Sequence, residues 1–375
     1  MLAICGGYAG LLIWLRGTAP PTTRSLSLRA RESTTLSDLR PISSLCKLFP
    51  YDNYYRANNF EELRALGERA KPGDMVELVA GVHEPHRAPM ETTDGEGLCG
   101  TWPTRALEGT VFDLHGKPGR LITFCGDRER TIIDGGEGSN GSKRGAGIQI
   151  VRSSYVRFAG FTIRNLLRAV DIQDTTHAEV LYVTSENTWH EGFRVRYNSS
   201  SNLIQHNHIR DTGLGYVGNG EAIYVGTARG RTTDCGNPQD NSDFNVIAAN
   251  VFGPNVPSEN VDVKEYTHGG VIRDNMFNGT ALQGIHASTS WVALKGKGWK
   301  ILNNTGTGLG VSGAGFRVLQ RVETFGSDNI VEGNTCKELP AGSVCIFVDQ
   351  RTTNNTVRKN RVVESDYSVR VSNAD

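Results

Sequence analysis

The sequence predicts a right-handed parallel β-helix, which is an all-β solenoid whose short strands stack coil upon coil. Three observations predict it. A phrase of short apolar strands repeats along the chain, an asparagine-rich turn column recurs at the spacing of one coil, and glycine is abundant, with 44 residues in 375. A leucine-rich repeat is less suitable because the leucines lack the LxxLxL spacing, and a propeller would need roughly 40–50 residues per blade.

The repeated phrase begins at about residue 120. Its successive versions read YVRFAGFTI, AEVLYVTSENT, SNLIQHNHI, FNVIAANVF, GGVIRDNMF, WKILNNTGT, DNIVEGNTC and NTVRKNRVV. The turn column contains Gly160, Thr184, Asn207, Asn250, Asn275, Asn304, Asn334 and Asn360. We expect the asparagine amides to form a ladder from coil to coil. The wide gap between Asn207 and Asn250 predicts an insertion near 213–241.

The N-terminal region divides into three predicted parts. Residues 1–16 are apolar up to Arg16, and we interpret them as a signal or signal-anchor; a mis-assigned start or a buried segment is the alternative. Residues 17–57 lack periodicity and are predicted to be an irregular linker. The β-helix domain is expected to occupy 58–375.

A short helix is predicted at about 60–70, at the start of this domain. Asn59 is a candidate N-cap, and Glu62 three residues later completes a capping box. An amphipathic helix at this position would cover the open end of the solenoid core.

The cysteines and the charge balance indicate a secreted protein that does not bind nucleic acid. Apart from Cys5, six cysteines occur without a CxxC pair, which favours disulfides over zinc: Cys46, Cys99, Cys125, Cys235, Cys336 and Cys345. Cys336 and Cys345 are close enough to pair locally. Five Asn-x-Ser/Thr sequons are compatible with glycosylation. Because 40 basic residues balance 40 acidic ones, we expect no nucleic-acid partner. We also expect no nucleotide cofactor, and we expect a monomer.

Aligning the third strand of each coil predicts one polar face. The aligned segments are RAVDIQ (168–173), EGFRVR (191–196), EAIYVG (221–226), ENVDVK (259–264), QGIHAS (283–288) and AGFRVL (314–319). Their inward positions are apolar, while the outward column reads Asp171, Arg194, Tyr224, Asp262, His286 and Arg317. Such a face is either a binding surface or a solvated sheet with cross-strand ion pairs.

Three glutamates share a column at the start of these strands, namely Glu191, Glu221 and Glu259. Carboxylates stacked about 4.8 Å apart repel one another unless a cation compensates. Asp262 is near in register, and the loop acids Asp240 and Asp243 are further candidates. Oxygen-only ligands favour Ca²⁺. The alternative is that arginine side chains or water screen the column.

Lys264 is the candidate base, because it points outward two residues after Asp262. A lysine near other cations or partly removed from water can have a lowered pKa and accept a proton. The alternative is an ordinary solvated surface lysine.

The segment SENVDVKEYTHGGVIRDNMF resembles β-helix polysaccharide lyases, most nearly the alginate lyase and chondroitinase B family. The segments FEELRALGERAKPGDMVELVAGVH and ITFCGDRERTIIDGG are similar to the opening of those enzymes. The resemblance implies β-elimination on uronic acid chains, in which Ca²⁺ binds the substrate carboxylate and acidifies the C5 proton. It also implies Lys264 as the base, with Glu259 and Glu221 as calcium ligands.

The sequence departs from that family at two places. Pro257 stands where a second acid is expected, and Gly284-Ile285-His286 replaces an Arg-His-Gly of the following coil. Only His286 offers a similar role there, and Arg196 or Arg317 is the candidate replacement for the missing arginine.

The sequence therefore predicts a secreted, Ca²⁺-assisted lyase of an acidic polysaccharide. The expected catalytic residues are Lys264, His286 and Arg196, the expected substrate-binding residues are Arg194, Tyr224 and Arg317, and the expected metal ligands are Glu221, Glu259 and Asp262. A glycoside hydrolase on the same fold and a non-catalytic carbohydrate-binding or host-interaction protein are the alternatives.

Overall fold

The computed structural model describes residues 43–85, 110–136, 145–230, 239–363 and 371–372. The predicted signal or signal-anchor lies outside these residues, as do Cys5, Cys99, Cys235 and the sequon at Asn140. Among the described helices, none has the length and apolar character needed to span a bilayer.

The described strands form three long parallel sheets, and each coil contributes one strand to each sheet. Sheet A contains β1 (Asn53–Ala57), β2 (Asp74–Leu78), β5 (Ile122–Cys125), β8 (Val156–Ala159), β11 (Glu179–Leu181), β14 (Leu203–Gln205), β17 (Val246–Ala248), β20 (Val271–Arg273), β23 (Lys300–Leu302), β26 (Ile330–Glu332) and β29 (Thr356–Arg358). Sheet B contains β3 (Gly81–His83), β6 (Thr131–Asp134), β9 (Thr162–Arg164), β12 (Thr184–Glu186), β15 (His208–Ile209), β18 (Val251–Phe252), β21 (Met276–Gly279), β24 (Thr305–Leu309), β27 (Thr335–Lys337) and β30 (Arg361–Val363). Sheet C contains β4 (Thr110–Phe112), β7 (Ala146–Val151), β10 (Arg168–Gln173), β13 (Phe193–Arg196), β16 (Ile223–Val225), β19 (Val261–Val263), β22 (Ser290–Leu294), β25 (Ala314–Val318), β28 (Val344–Val348) and β31 (Val371–Ser372). This architecture confirms the predicted parallel β-helix.

The core is a column of apolar side chains that runs along the solenoid. In sheet C the inward position is held by Val170, Phe193, Ile223, Val261, Val292 and Phe316, all of them buried. Aromatic rings stack between coils, as in Phe124–Phe158 with ring centroids 4.7 Å apart. Burying each large apolar side chain contributes roughly 1.5–3 kcal/mol, so the polar groups of sheet C are displayed on a rigid base.

The predicted asparagine ladder is present. From Asn207 to Asn360 each side-chain amide donates to the side-chain oxygen of the next asparagine at 2.9–3.0 Å, through Asn250, Asn275, Asn304 and Asn334. Two earlier members of the column were misplaced by one residue, because Phe161 and Val183, rather than Gly160 and Thr184, lie level with Asn207. The ladder fixes the register of successive coils because these amides are buried and satisfied.

Regular secondary structure begins earlier in the chain than the sequence predicted. Helix α1 (Phe60–Gly67) begins at Asn59, whose side chain accepts from the Glu62 amide at 2.8 Å, and the Glu62 carboxylate accepts from the Asn58 amide rather than completing the box at Asn59. Phe60 is buried against the core, as predicted for a capping helix. The linker prediction for 17–57 was wrong at its end, because β1 pairs with β2 as the first strand of sheet A.

Two disulfides join described residues. The predicted local pair Cys336–Cys345 is confirmed, and Cys46 pairs with Cys125, a bond that the sequence left open.

The alignment of segment 283–288 with sheet C was wrong. The strand of that coil is β22, with Val292 level with Val261 and Leu294 level with Val263. Residues Ile285–Ala287 instead form a 3₁₀ turn, in which His286 has a φ of 55° and follows Gly284 at 74°. Left-handed backbone cannot continue a β-ladder, so His286 lies in the loop that leads into the strand.

Candidate active site

The outward face of sheet C begins with a segment in which every charge has a partner. Arg194 on β13 donates to both oxygens of Asp171 on β10, at 3.1 and 2.5 Å. Arg168 donates to Glu191 at 2.6 Å. We call these four residues the paired segment. Burial alone would raise the pKa of Asp171, but the Arg194 guanidinium outweighs it and holds that pKa below its usual range. Arg194 is therefore engaged by the protein itself.

The next two coils carry an acidic cluster, which consists of Glu221, Glu259 and Asp262. All three are buried, and each offers a carboxylate oxygen within 4.8 Å of the others. The predicted column is present, since the Gly192 amide donates to the Glu221 carbonyl and the Ala222 amide to the Glu259 carbonyl. Glu191 is adjacent in the column but is neutralised by Arg168. The unbalanced carboxylates therefore begin at Glu221.

Glu221 carries the clearest sign of unmet charge. Its Oε2 atom is buried and has no hydrogen-bond partner among the residues that the structure describes. Burial, and then the neighbouring carboxylates, raise the pKa of Glu221 well above its usual range. Glu259 is similar, with a pKa raised by burial and by Asp262, although its carboxylate accepts from the Ser288 hydroxyl at 2.6 Å. An orphaned oxygen beside two carboxylates needs either a proton or a cation.

Two lysines from consecutive coils contact Asp262. Lys264 follows β19 and its ammonium contacts one Asp262 oxygen, while Lys295 follows β22 and contacts the other. Burial would lower the pKa of Lys264, but the Asp262 carboxylate outweighs it and raises that pKa well above its usual range. Lys264 is therefore an ammonium, and the lowered pKa that the sequence suggested for it was wrong because Asp262 pairs with it. Lys295 is a functional candidate that the sequence alignment missed, although WVALK (291–295) repeats the pattern of NVDVK (260–264).

Tyr224 lies beside Lys264 on the preceding coil, with the Lys264 nitrogen 4.5 Å from the ring centroid. Burial raises the pKa of Tyr224 to about 12. Its hydroxyl has no hydrogen-bond partner within the described part of the chain. Gly226, with φ 81°, lies level with Lys264 on the preceding coil. Since it has no side chain, the Cβ atom of Lys264 has no side-chain neighbour from that residue. Lysine and tyrosine thus form a proton-bearing pair on the face of sheet C.

The remaining predicted site residues occupy different positions. Arg196 donates to Thr227 at 3.0 Å and packs over the Tyr197 ring. Arg317 donates to the Ala287 carbonyl at 3.0 Å and to Thr289. His286 bonds Tyr216 at 2.9 Å. Within the described part of the chain, none of these three forms a hydrogen bond or an ion pair with the acidic cluster.

The loop acids Asp240 and Asp243 are not ligand candidates. Asp240 accepts from the amides of Tyr197 and Asn198 at 2.8 and 2.9 Å, so it closes the inserted loop onto the coil before it. Asp243 accepts from the His268 amide at 2.7 Å.

The acidic cluster fits an oxygen-ligated cation. Three converging carboxylates are a donor set that Ca²⁺ prefers, and the orphaned Glu221 oxygen is one free ligand atom. Glu221 and Glu259 would be the principal ligands, because both oxygens of Asp262 already contact lysine.

No protein-family model and no curated protein sequence matches this chain. Among solved structures, it is similar to an alginate lyase from Paenibacillus sp. str. FPU-7, with a TM-score of 0.67 and 23% identity over 83% of this chain and 98% of that one. It is also similar to pectate lyase Pel9A (TM-score 0.53, 11% identity, 84% and 80% covered). A DFA-IIIase from Arthrobacter chlorophenolicus A6 gives a TM-score of 0.50 at 14% identity, with 86% and 87% covered. The chain therefore has the parallel β-helix fold found in polysaccharide lyases, as the sequence resemblance predicted.

Proposed function

We propose that this protein is a secreted lyase that cleaves an acidic, uronate-containing polysaccharide by β-elimination. The observation that supports it most is the buried Lys264–Asp262–Lys295 contact beside Tyr224 and the acidic cluster. The fold shared with an alginate lyase and a pectate lyase agrees with this chemistry. Two disulfides agree with an oxidising, extracellular location.

Lys264 and Tyr224 supply the two proton transfers that the reaction needs. Lys264, once neutral, removes the C5 proton of a uronate, and the Tyr224 hydroxyl donates a proton to the departing glycosidic oxygen. Lys295 keeps Asp262 paired when Lys264 gives up its proton. Because Lys264 must lose a proton before it can act as the base, we expect activity to increase as pH rises above neutrality.

Calcium is the cofactor that the acidic cluster would hold, through Glu221 and Glu259 with a share of Asp262. Bound there, it would neutralise the substrate carboxylate and make the C5 proton more acidic. Arg196 and Arg317 add positive charge to the outward face of sheet C, which suits an anionic polysaccharide although the net charge of the protein is zero.

The test is an assay on alginate and polygalacturonate, with and without EDTA, that follows the ultraviolet absorbance of the unsaturated product. We expect Lys264→Ala to lower kcat about 10²–10⁴-fold, and Tyr224→Phe to lower it while leaving the ring in place. Lys300→Ala, an exposed lysine on sheet A, is the matched control and should have no effect. Full activity of Lys264→Ala would refute the mechanism.

A glycoside hydrolase is the second candidate, since Glu221 and Glu259 form a close carboxyl pair in which the pKa of Glu221 is raised. A raised carboxyl pKa is what a general acid requires. New reducing ends without ultraviolet absorbance, lost in Glu221→Gln, would favour hydrolysis.

A further inference from the structure

Two exposed side chains meet at the edge of sheet C where its strands begin. Tyr216 is 46% exposed. Its hydroxyl forms a hydrogen bond with the Nε2 atom of His286 at 2.9 Å, and the tautomer of the imidazole decides which of the two donates. Their rings are 5.7 Å apart at an interplanar angle of 65°. We call Tyr216 and His286 the rim pair. Neither residue belongs to the buried core.

The rim pair is held in place from several directions. Gly218 packs closely against both rings, since an added Cβ would be 2.6 Å from His286 and 2.7 Å from Tyr216. Arg317 donates to the carbonyl of Ala287, the residue after His286. His286 and Ala287 both have left-handed backbone, with φ of 55° and 64°.

Residues 258–262 hold the turns that contain Tyr216 and His286, and they also carry two members of the acidic cluster, Glu259 and Asp262. The Ser258 hydroxyl donates to the carbonyl of Val217, which follows Tyr216. The Ser288 hydroxyl, two residues after His286, donates to Glu259 at 2.6 Å. Hydrogen bonds therefore join the rim pair's turns to the segment that carries the acidic cluster, and exposed Ile285 lies beside the pair.

We propose that the rim pair is a sugar-binding subsite that packs against a pyranose ring next to the cleaved bond. An exposed aromatic face contacts the apolar C–H face of a pyranose, while the tyrosine hydroxyl and the imidazole edge bond its hydroxyls. The assignment to a position beside the cleaved bond rests on the proposed function. The pair acts on substrate affinity and on preference among polyuronates, and it takes no part in proton transfer.

The test separates binding from chemistry. In otherwise unaltered protein, Tyr216→Ala and His286→Ala should raise KM for alginate or polygalacturonate roughly tenfold, as expected for a lost aromatic contact, with kcat within about twofold. Tyr216→Phe, which keeps the ring, should retain most of the affinity. Met276→Ala is the matched control, since Met276 is 59% exposed on sheet B. Melting temperatures of all variants should equal that of the parent.

A second measurement keeps the result independent of catalysis. In Lys264→Ala protein, migration through gels containing alginate or polygalacturonate is compared with and without Tyr216→Ala. Loss of retardation in the double variant supports the subsite even if the parent cleaves neither polymer, which would refute only the lyase proposal. Unchanged retardation and KM, or a fall in kcat at constant KM, would overturn the subsite while the lyase proposal stands.

Discussion

The paired segment and the acidic cluster lie on the same face of sheet C, one coil apart, yet their charges are arranged differently. In the paired segment, Arg168 and Arg194 match Glu191 and Asp171 one to one. In the acidic cluster, three carboxylates share two lysines, both on Asp262, and Glu221 is left with a bare oxygen. The scaffold is the same in both places. A buried charge imbalance, rather than the polarity of the face, distinguishes a candidate site from a structural ion-pair ladder.

The largest effect on stability should come from breaking the paired segment. Asp171→Asn leaves the Arg194 guanidinium without its counter-charge in a nearly buried position. We expect a loss of about 3–5 kcal/mol in the free energy of unfolding, measured by urea denaturation at pH 7. Arg358→Ala, which removes an exposed partner of Glu332, should change little. A similar small loss for both would show that the paired segment is not a structural unit.

The same variant has a defined pH dependence. Because the folded-state pKa of Asp171 is lowered, its contribution is present above the unfolded value of about 3.8 and disappears as pH falls through the lowered value. The difference between the parent and Asp171→Asn should therefore be constant near neutrality and close only below about pH 3.8. A difference that closes between pH 5 and 7 would contradict this assignment.

The acidic cluster should respond to calcium where the paired segment does not. Ca²⁺ at 100 times its Kd would add about 2.7 kcal/mol to stability, seen as a rise in Tm that EDTA reverses. Glu221→Gln should abolish the rise, while Glu265→Gln, which alters a buried acid outside the cluster, should retain it. If the parent gives no rise, a proton on Glu221 balances the cluster and the calcium proposal fails.

The smallest effect tests whether the scaffold is uniform under both regions. Asn207→Ala and Asn275→Ala each remove one rung of the asparagine ladder and leave buried backbone groups unpaired. We expect each to cost about 1–3 kcal/mol by thermal unfolding, and to cost the same. Unequal losses of stability in the two variants would mean that the coils themselves differ. The difference between the paired segment and the acidic cluster would then not come from their outward charges alone.

Periodic features were accessible from the sequence because a solenoid repeats them. Alternation of apolar residues gave the inward column of sheet C, and the asparagine spacing gave the ladder from Asn207 onward. The glutamate column followed from the same alignment. Local signals also sufficed for the Asn59 cap and for the Cys336–Cys345 bond, since both join residues close in sequence.

The lengths of the loops that precede the strands of sheet C could not be predicted from the sequence. A coil can add residues before a strand without altering its core, so the phrase QGIHAS competed with SWVAL for one position in sheet C. The left-handed backbone at His286 and the two core positions filled by Val292 and Leu294 decide in favour of SWVAL. Lys295 was missed for that reason. The Arg168–Glu191 pairing was missed because it depends on side-chain reach between coils.

The two disulfides lie near opposite ends of the described solenoid. In a stack where each coil contacts only its neighbours, local unfolding begins at the terminal coils, because they are packed on one side only. Cys46–Cys125 clasps the first layers, and Cys336–Cys345 joins β27 to β28 near the last. Under pulling force or protease attack, the N-terminal end would hold because Cys46–Cys125 ties different layers together, whereas Cys336–Cys345 braces two strands of a single coil. Reduction should therefore shorten the lifetime of the folded protein in a protease-rich medium before it alters the outward face of sheet C.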